Sequence, residues 1–526
     1  MMAADSEHDN IARSTGVVSS ATFLSRVLGL VREQVFAYLF GAGFATDAFI
    51  AAFRIPNLLR DLFAEGALSS AFIPVFTDHL HNQGKQRAWE LANLVLNLLV
   101  LVVSVIVLLG IIFSPYIVRV IAPGFAEEAG KQQLTAQLSR IMFPFLLLIA
   151  LAALAMGILN TFRRFGIPAL APAMLNLGMI AGGVLLSPLF DPPIMGMALG
   201  VLLGGFGQMA IQIPSLWKIG FRYKLGINLR DPGVKRILLL MAPATLGLAS
   251  TQVNIFVNTL IASLLPQGSV SYLNYSFRLM QFPIGVFGVA VATVTFPIVS
   301  AYAAKKQRGE LLGTFSSSLK LVFFLSIPSA VFLAVASRLV ISVLFQHGRF
   351  DFLDTVATSQ ALVFYCIGLF AYSSVRLTAS TFYAMGDTKT PVKTSAVAVA
   401  VNIGLNLLLM RPLGFRGLAL AASVAAMTNL FLLLRILDKK AGPLDRRDIL
   451  STSLKILSAA ALMGLAMWVF LSYRAVDLEL STLLDKILQL ALVLVIGLFS
   501  FLICSYILQL KELDRILQLL KIRKRP

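Results

Sequence analysis

The chain of 526 residues is 58% hydrophobic and only 13% charged. Its mean hydropathy is +0.84, which excludes an ordinary soluble domain and places the chain in a bilayer. The formal net charge of +19 is spread over short loops between apolar runs, and this argues against nucleic acid as a partner.

In chain order, residues 1–15 are polar, lack the basic start and cleavage site of a secretory signal, and are expected to form a cytoplasmic tail. About fourteen apolar runs follow, each near the length that crosses a hydrocarbon core of about 30 Å as a helix. They centre on 17–40, 45–76, 91–113, 134–160, 168–189, 194–214, 236–264, 271–300, 314–335, 357–385, 391–410, 415–436, 451–472 and 486–509. The first carries Arg26, Arg32 and Glu33, and Gly41-Ala42-Gly43 makes a tight connection to the second. The second opens on Thr46 and Asp47, which by spacing alone read as helix caps, and continues through Arg54, Pro56, Arg60 and Glu65. Arg278 and Pro283 fall in the eighth span, Arg376 in the tenth, and a basic tail occupies 511–526. Cys366 and Cys504 lie in apolar runs, and His8, His79, His81 and His347 are scattered, so neither a disulfide framework nor a metal site is expected.

With the N-terminus in the cytoplasm, the loops returning there hold most of the basic residues, among them Lys85, Arg87, Arg222, Lys224, Lys305, Lys306, Lys439 and Lys440. The opposite loops hold mainly Lys131, Arg338, Arg349, Arg411, Arg416, Arg474 and Lys486. This asymmetry places both termini in the cytoplasm and accounts for most of the net charge.

The chain also repeats itself. Phe53-Arg54 returns as Phe277-Arg278, 278 − 54 = 224 residues later, and Pro74 returns as Pro297, 297 − 74 = 223 later. "SPYIVRVIAPGF" aligns with "SRLVISVLFQHGRF" at a similar offset. Six spans separate the copies, an even number, so the copies share one orientation about an axis along the membrane normal. The expected fold is an all-α polytopic membrane protein: a six-helix N-lobe (16–225), a six-helix C-lobe (226–440) and two added helices (441–510).

A charge in mid-membrane costs at least about 2.5–3.5 kcal/mol on insertion scales and is kept mainly where it meets water or a partner. Arg26 lies near the middle of its span, where snorkelling fits poorly, while Arg32, Arg60 and Arg376 lie nearer an interface. Arg26 and Glu33, like Asp47 and Arg54, are seven apart, about 10 Å along one helix, too far for a direct bond. Five arginines (Arg26, Arg32, Arg54, Arg60, Arg278) then face three acids (Glu33, Asp47, Glu65). That excess favours a water-filled cationic cavity for an anion, and the planar fork of arginine matches phosphate oxygens two at a time. Arg26 and Arg32 are about 120° apart around their helix, so a large branched head group suits them better than one small ion. Pro56 and Pro283 bend the spans that carry the repeated arginines.

At these residues the sequence resembles the MurJ (MviN) family. The matching stretches are "SRVLGLVRE" (25–33), "FGAGFATDAFIAAFRIPNLLRDLFAEGALSSAFIPVF" (40–76), "APGF" (122–125), "ILNTFRRFGIPALAPAMLN" (158–176), "NYSFRLMQFPIGVFGVA" (274–290) and "FYAMGDTKTPVK" (382–393). The resemblance implies the multidrug/oligosaccharidyl-lipid/polysaccharide exporter fold, with two lobes around a cationic cavity, alternating access, and a lipid-tail groove formed by the last two helices. The implied activity is that of a flippase, not an enzyme. It would carry lipid II, the undecaprenyl-pyrophosphate-linked peptidoglycan precursor, from the inner to the outer leaflet of the bacterial cytoplasmic membrane. Transport roles fall by resemblance on Arg26, Arg32, Asp47, Arg60 and Arg278. Arg54 and Arg376 match positions where the family also accepts lysine, and Glu33, Glu65 and Arg376 are candidates for gating or pairing.

The chain departs from the family at Gln281, often an acid, and in having no acid between Asp231 and Glu310, where some members bind sodium through a seventh-span carboxylate. No cofactor is expected, and membrane potential or another ion is left to drive transport. The expected partners are lipid II and membrane lipids, with the chain acting as a monomer.

The alternatives are another polysaccharide-lipid flippase, a drug/cation antiporter, or an enzyme that polymerises lipid II. The arginines would repel an antiporter's cationic substrates. A polymerising enzyme needs a catalytic acid near an outer loop, and Glu127, Glu128, Asp191, Asp351, Asp354, Asp477 and Glu479 read as solvated. No Walker motif is present to couple ATP.

Overall fold

The computed structural model describes residues 2–61, 68–474, 478 and 481–521. The described residues are helical with short connections. In chain order the helices are α1 (Met2–Phe40), α2 (Phe44–Leu59), α3 (Ser69–Asn82), α4 (Lys85–Ile121), α5 (Lys131–Met142), α6 (Phe145–Thr161), α7 (Gly166–Ala181), α8 (Ile194–Ala210), α9 (Ile213–Lys218) and α10 (Pro232–Ser263). They continue with α11 (Ser269–Pro283), α12 (Ala290–Ala304), α13 (Arg308–Val335), α14 (Ser337–Phe345), α15 (Phe352–Cys366), α16 (Leu369–Ala384), α17 (Lys389–Leu413), α18 (Phe415–Ala441), α19 (Arg446–Tyr473), α20 (Leu483–Ile507) and α21 (Lys511–Lys521). Residues 2–15 continue α1 as helix, and the basic C-terminal segment is helical through Lys521.

Among the described residues ten helical spans are long and apolar enough to cross a membrane, or eleven if α15 and α16, bent by 45°, count as one. The three further spans expected from sequence are 17–40, 45–76 and 236–264. The first is the one interrupted by Arg26, Arg32 and Glu33. The second contains residues 62–67, and the third contains the side chains of 242–251, both outside the description.

The chain divides into two compact units, 1–268 and 269–526. α10, the expected first helix of the second lobe, packs against α3 and α4 in the first unit. In that unit Phe72, Phe76, Leu91, Leu154, Leu159 and Val234 form part of one buried cluster, and Trp89 stacks on Phe162 with ring centroids 5.3 Å apart. α4 shows the pattern a bilayer selects. Leu101, Val105, Leu108 and Ile112 form an exposed stripe, while Val103, Val107, Ser114 and Val118 are buried. A helix apolar on both faces fits packing on one side and lipid on the other.

Lipid tails are as apolar as leucine, so association inside a bilayer relies on close contact. α7 and α8 achieve it with glycine. A Cβ on Gly178 would lie 2.2 Å from the backbone nitrogen of Gly204, and one on Gly182 would lie 2.4 Å from the Cα of Gly200. In the "APGF" stretch, a Cβ on Gly124 would sit 2.1 Å from the carbonyl oxygen of Ser263 at the end of α10.

The second unit packs α13 against α16 and α19, α18 against α15 to α17, and α20 against α19. Tyr275, Phe345 and Phe350 form a buried aromatic group, with centroids 5.1 to 5.9 Å apart. The helix breaks preserve the sequence repeat. α5 ends at Met142 and α15 at Cys366, and 366 − 142 = 224. A π-helical stretch begins at Arg60 beyond α2 and at Ile284 beyond α11, and 284 − 60 = 224. Pro56 and Pro283 precede these stretches, where a missing backbone N–H already unsettles the helical ladder.

Candidate substrate site

α1 and α2 position the charges of the first unit. Asn176 of α7 donates to the carbonyl of Ser25 at 3.0 Å and ties α1 down one residue before Arg26. Arg26 is exposed, and among the described residues no ion pair or hydrogen bond engages its guanidinium. Arg32, by contrast, is a largely buried partner of Glu33, and it also lies 3.8 Å from the sulfur of Met179.

Arg54 donates through Nε to the hydroxyl of Thr259 on α10 at 3.0 Å. Arg60 pairs with Asp61 at 2.8 Å, and Gln252 of α10 donates to the other oxygen of Asp61 at 3.2 Å. Positions 54 and 61 on α2 and its extension therefore meet 259 and 252 on α10, two polar rungs seven residues apart on antiparallel helices. Asp61, absent from the acids counted from sequence, reduces the arginine excess. Glu65 lies outside the described residues.

Asp47 is not a helix cap. The N-cap of α2 is Gly43, Thr46 donates to the carbonyl of Gly41 at 2.9 Å, and the Asp47 carboxylate is turned to Lys131 at the start of α5, 3.0 Å away. The same carboxylate oxygen accepts from the backbone N–H of Gly268 at 2.7 Å. Lys131 in turn reaches Glu128 at 2.8 Å and lies 4.4 Å from the ring centroid of Phe125. Lys131, counted from sequence among the residues of the outer loops, is a buried partner. Arg140, also inside a span, donates to Ser114 at 3.0 Å.

In the second unit Arg278 is exposed on α11, beside Phe277, whose ring meets Tyr365 edge-on at 5.6 Å. Arg376 lines a cavity of about 520 Å³ with Thr293, Ser380, Tyr383, Ser395 and Asn429. No described residue pairs with Arg376, and the buried Oδ1 of Asn429 has no hydrogen-bond partner among the described residues. This cavity presents one arginine and several hydroxyls, with no carboxylate in its lining, a donor set suited to oxyanions.

A second cavity of about 520 Å³ is almost wholly apolar, lined by Phe323, Ile327, Val331, Cys366, Phe370 and Leu454 among others. α13, α15, α16 and α19 supply its walls, so one of the two added C-terminal spans contributes and α20 does not. Its shape and chemistry suit a hydrocarbon chain.

Three of the outer acids expected to be solvated are engaged. Asp354 is buried in a capping box with Asp351 at the start of α15 and accepts from the hydroxyl of Tyr272 at 3.1 Å. Glu128 holds Lys131. Asp477 and Glu479 lie outside the described residues.

A family model described as "Lipid II flippase MurJ" matches residues 36–505. A protein of Burkholderia cenocepacia named "Lipid II flippase MurJ" is 36% identical over 492 residues, covering 93% of this chain and 95% of that protein. The solved structure "Lipid II flippase MurJ, inward closed conformation" superposes with a TM-score of 0.78 at 29% identity, covering 93% of this chain and 98% of the other. An inward-facing multidrug MATE transporter of the MOP superfamily gives a TM-score of 0.66 at 16% identity, covering 81% and 97% of the two chains, a likeness of fold alone. With a family match over most of its length, a curated relative above 30% identity and the same helical architecture, the chain belongs to the MurJ family of lipid II flippases, transporters rather than enzymes.

Proposed function

We propose that Arg26, Arg32, Arg54, Arg60 and Arg278, with Asp47, form the machinery that receives the pyrophosphate and head group of lipid II, and that Arg376 assists from its own cavity. The observation that carries this reading is Arg26, a cation in the middle of a hydrophobic helix, exposed and without a partner among the described residues. A cation in such a position is retained where an anion visits it. Arg32, Arg54 and Arg60 are held by neighbours, so they act as preset donors that exchange partners when the substrate enters.

The chain works as a monomer in the bacterial cytoplasmic membrane with both termini inside, as its basic loops indicate. The apolar cavity beside α19 receives part of the undecaprenyl tail, and the two lobes alternate in access. Membrane potential is the favoured drive, at about 2.3 kcal/mol per charge per 100 mV, since no carboxylate lies between Asp231 and Glu310 to hold a cation on the seventh span.

The test replaces the native protein in living cells by Arg26→Ala or Arg278→Ala at equal abundance. An enzyme added outside then reports how much lipid II it can cleave. Loss of cleavage with lipid II accumulating inside supports the assignment, and undiminished cleavage by both variants overturns it.

A further inference from the structure

The connection from α9 to α10 runs along the first turns of α4 and borders a cavity. Residues 221–228 are non-helical and are strapped along α4 by two asparagines. Asn93 donates to the carbonyl of Arg222 at 3.1 Å and accepts from the N–H of Lys224 at 2.8 Å. Asn97 donates to the carbonyls of Lys224 and Gly226 at 2.9 and 3.0 Å and accepts from the Tyr223 hydroxyl at 2.8 Å. Four of these bonds fix the backbone of the segment, and the fifth fixes the Tyr223 side chain.

The strap alternates. Tyr223, Leu225, Ile227 and Leu229 are 58%, 84%, 54% and 55% exposed, and Arg222, Lys224, Asn228 and Arg230 lie between and beside them, also exposed. Four large apolar side chains presented in a row mark an interaction surface. Between the strap and the first turns of α4 is a cavity of about 700 Å³, lined by Lys85, Arg87, Trp89, Arg222, Lys224 and Leu225 among others. Arg87 is neutralised there by Glu90 at 2.9 Å and by Asp231. Lys85, Arg222 and Lys224 make no ion pair among the described residues, and the Lys85 ammonium lies 5.9 Å from the Trp89 ring centroid and 5.8 Å from that of Phe162. α4 has 37 residues, about 55 Å at 1.5 Å per residue, against a hydrocarbon core of about 30 Å. Its first turns therefore project to the depth of the lipid head groups.

We propose that this pocket binds an anionic glycerophospholipid of the adjoining leaflet. Its phosphate is held by Lys85, Arg222 and Lys224, and its acyl chains run beside Leu225 and Ile227. The apolar row commits the site to a lipid rather than a free anion, because a soluble phosphate would leave that row in water. The site lies apart from the arginines of α1 and α2 and depends on no part of their assignment. A bound lipid would pin the strap, and with it the start of α10, to the membrane surface.

Native mass spectrometry of the full chain in detergent tests this, with phosphatidylglycerol, phosphatidylcholine of the same acyl chains, and glycerol 3-phosphate as probes. The wild type should retain phosphatidylglycerol at least about thirtyfold more strongly than phosphatidylcholine, the scale expected when two or three basic residues meet an anionic head group. The double variant Lys85→Gln/Lys224→Gln alters exposed side chains and should lose that preference. Lys218→Gln/Lys235→Gln, with the same charge change outside the cavity lining, should keep it. Equal retention of the two lipids by the wild type, or equal losses in both double variants, overturns the site. Displacement of phosphatidylglycerol by glycerol 3-phosphate at matching concentration overturns its assignment to a lipid.

Discussion

The ammonium of Lys131 lies 3.0 Å from Oδ2 of Asp47, and both side chains are only 1% exposed. Two charges removed from water are stable only when geometry and further bonds offset their desolvation. Here the offsets are Glu128 on the lysine and the Gly268 N–H on the carboxylate. The pair joins the start of α2 to the start of α5 and to the end of the connection after α10. Lys131→Met takes the cation from the buried Asp47 carboxylate and should destabilise the protein by about 3–5 kcal/mol, while Asp47→Asn leaves Lys131 with Glu128 and should cost less. The double variant should lose less than the sum of the two. Unfolding by a denaturing detergent, followed for all four proteins, measures this coupling. Additive losses would instead leave Asp47 free to serve the substrate directly.

The two rungs between α2 and α10 make a second prediction. Thr259→Val removes the acceptor of the Arg54 Nε–H while keeping the shape of the side chain. Loss of a hydrogen bond to a charged group should cost about 1.5–3 kcal/mol. If Arg54 exchanges Thr259 for phosphate oxygens during transport, the same variant should bind a diphosphate lipid at least as tightly as the wild type while melting earlier. Parallel melting and lipid-binding measurements on Thr259→Val separate those two effects.

How much of this was legible in the sequence depends on the range of the interaction. The membrane class, the repeat and the offset of its prolines follow from local composition and spacing, and the helix breaks at Met142 and Cys366 keep that offset. The intramembrane charges were equally visible, since an arginine within twenty apolar residues stands out against its neighbours. Their partners were not. Lys131 follows Asp47 by 84 positions, and Thr259 follows Arg54 by 205. Hydrophobic periodicity says which face a residue occupies, not which distant helix meets it. Asp61 was hidden for another reason: helical spacing does not bring adjacent side chains face to face, yet Arg60 and Asp61 pair, as Arg32 and Glu33 do.

The "GDTKTP" stretch yields a pH prediction. Asp387 accepts from Lys440 at 2.5 Å and from the Thr390 hydroxyl and N–H at 2.6 and 3.0 Å. The Lys440 hydrogen bond, followed by those from Thr390, holds its carboxyl well below the usual carboxylate range. A group whose folded pKa is depressed stabilises the fold above its unfolded value, about 3.9, and loses that contribution as pH falls through the folded value. Asp387→Asn should therefore melt below the wild type at pH 5 to 7, and the gap should narrow as pH falls below about 4. A gap that stays constant across that range would show that the loop is held by something other than this charge.

The glycine contact between α7 and α8 gives the most direct test of packing. A methyl group on Gly178 or Gly204 would sit 2.2 to 2.7 Å from backbone atoms of the facing helix, and backbone cannot swing aside as the end of a side chain can. Gly178→Ala should force the two helices apart and cost at least about 1–3 kcal/mol, the usual range for overpacking a tight interior. Gly309→Ala provides the control: the position is helical in α13 and a Cβ there meets nothing within 4 Å. That substitution should stabilise the chain by about 0.4–1 kcal/mol, because alanine gives the unfolded chain fewer conformations to lose. Melting curves for both variants in one detergent decide the matter, since opposite shifts for the same chemical change can come only from the space around each residue. Equal shifts would mean that α7 and α8 do not approach this closely in the membrane.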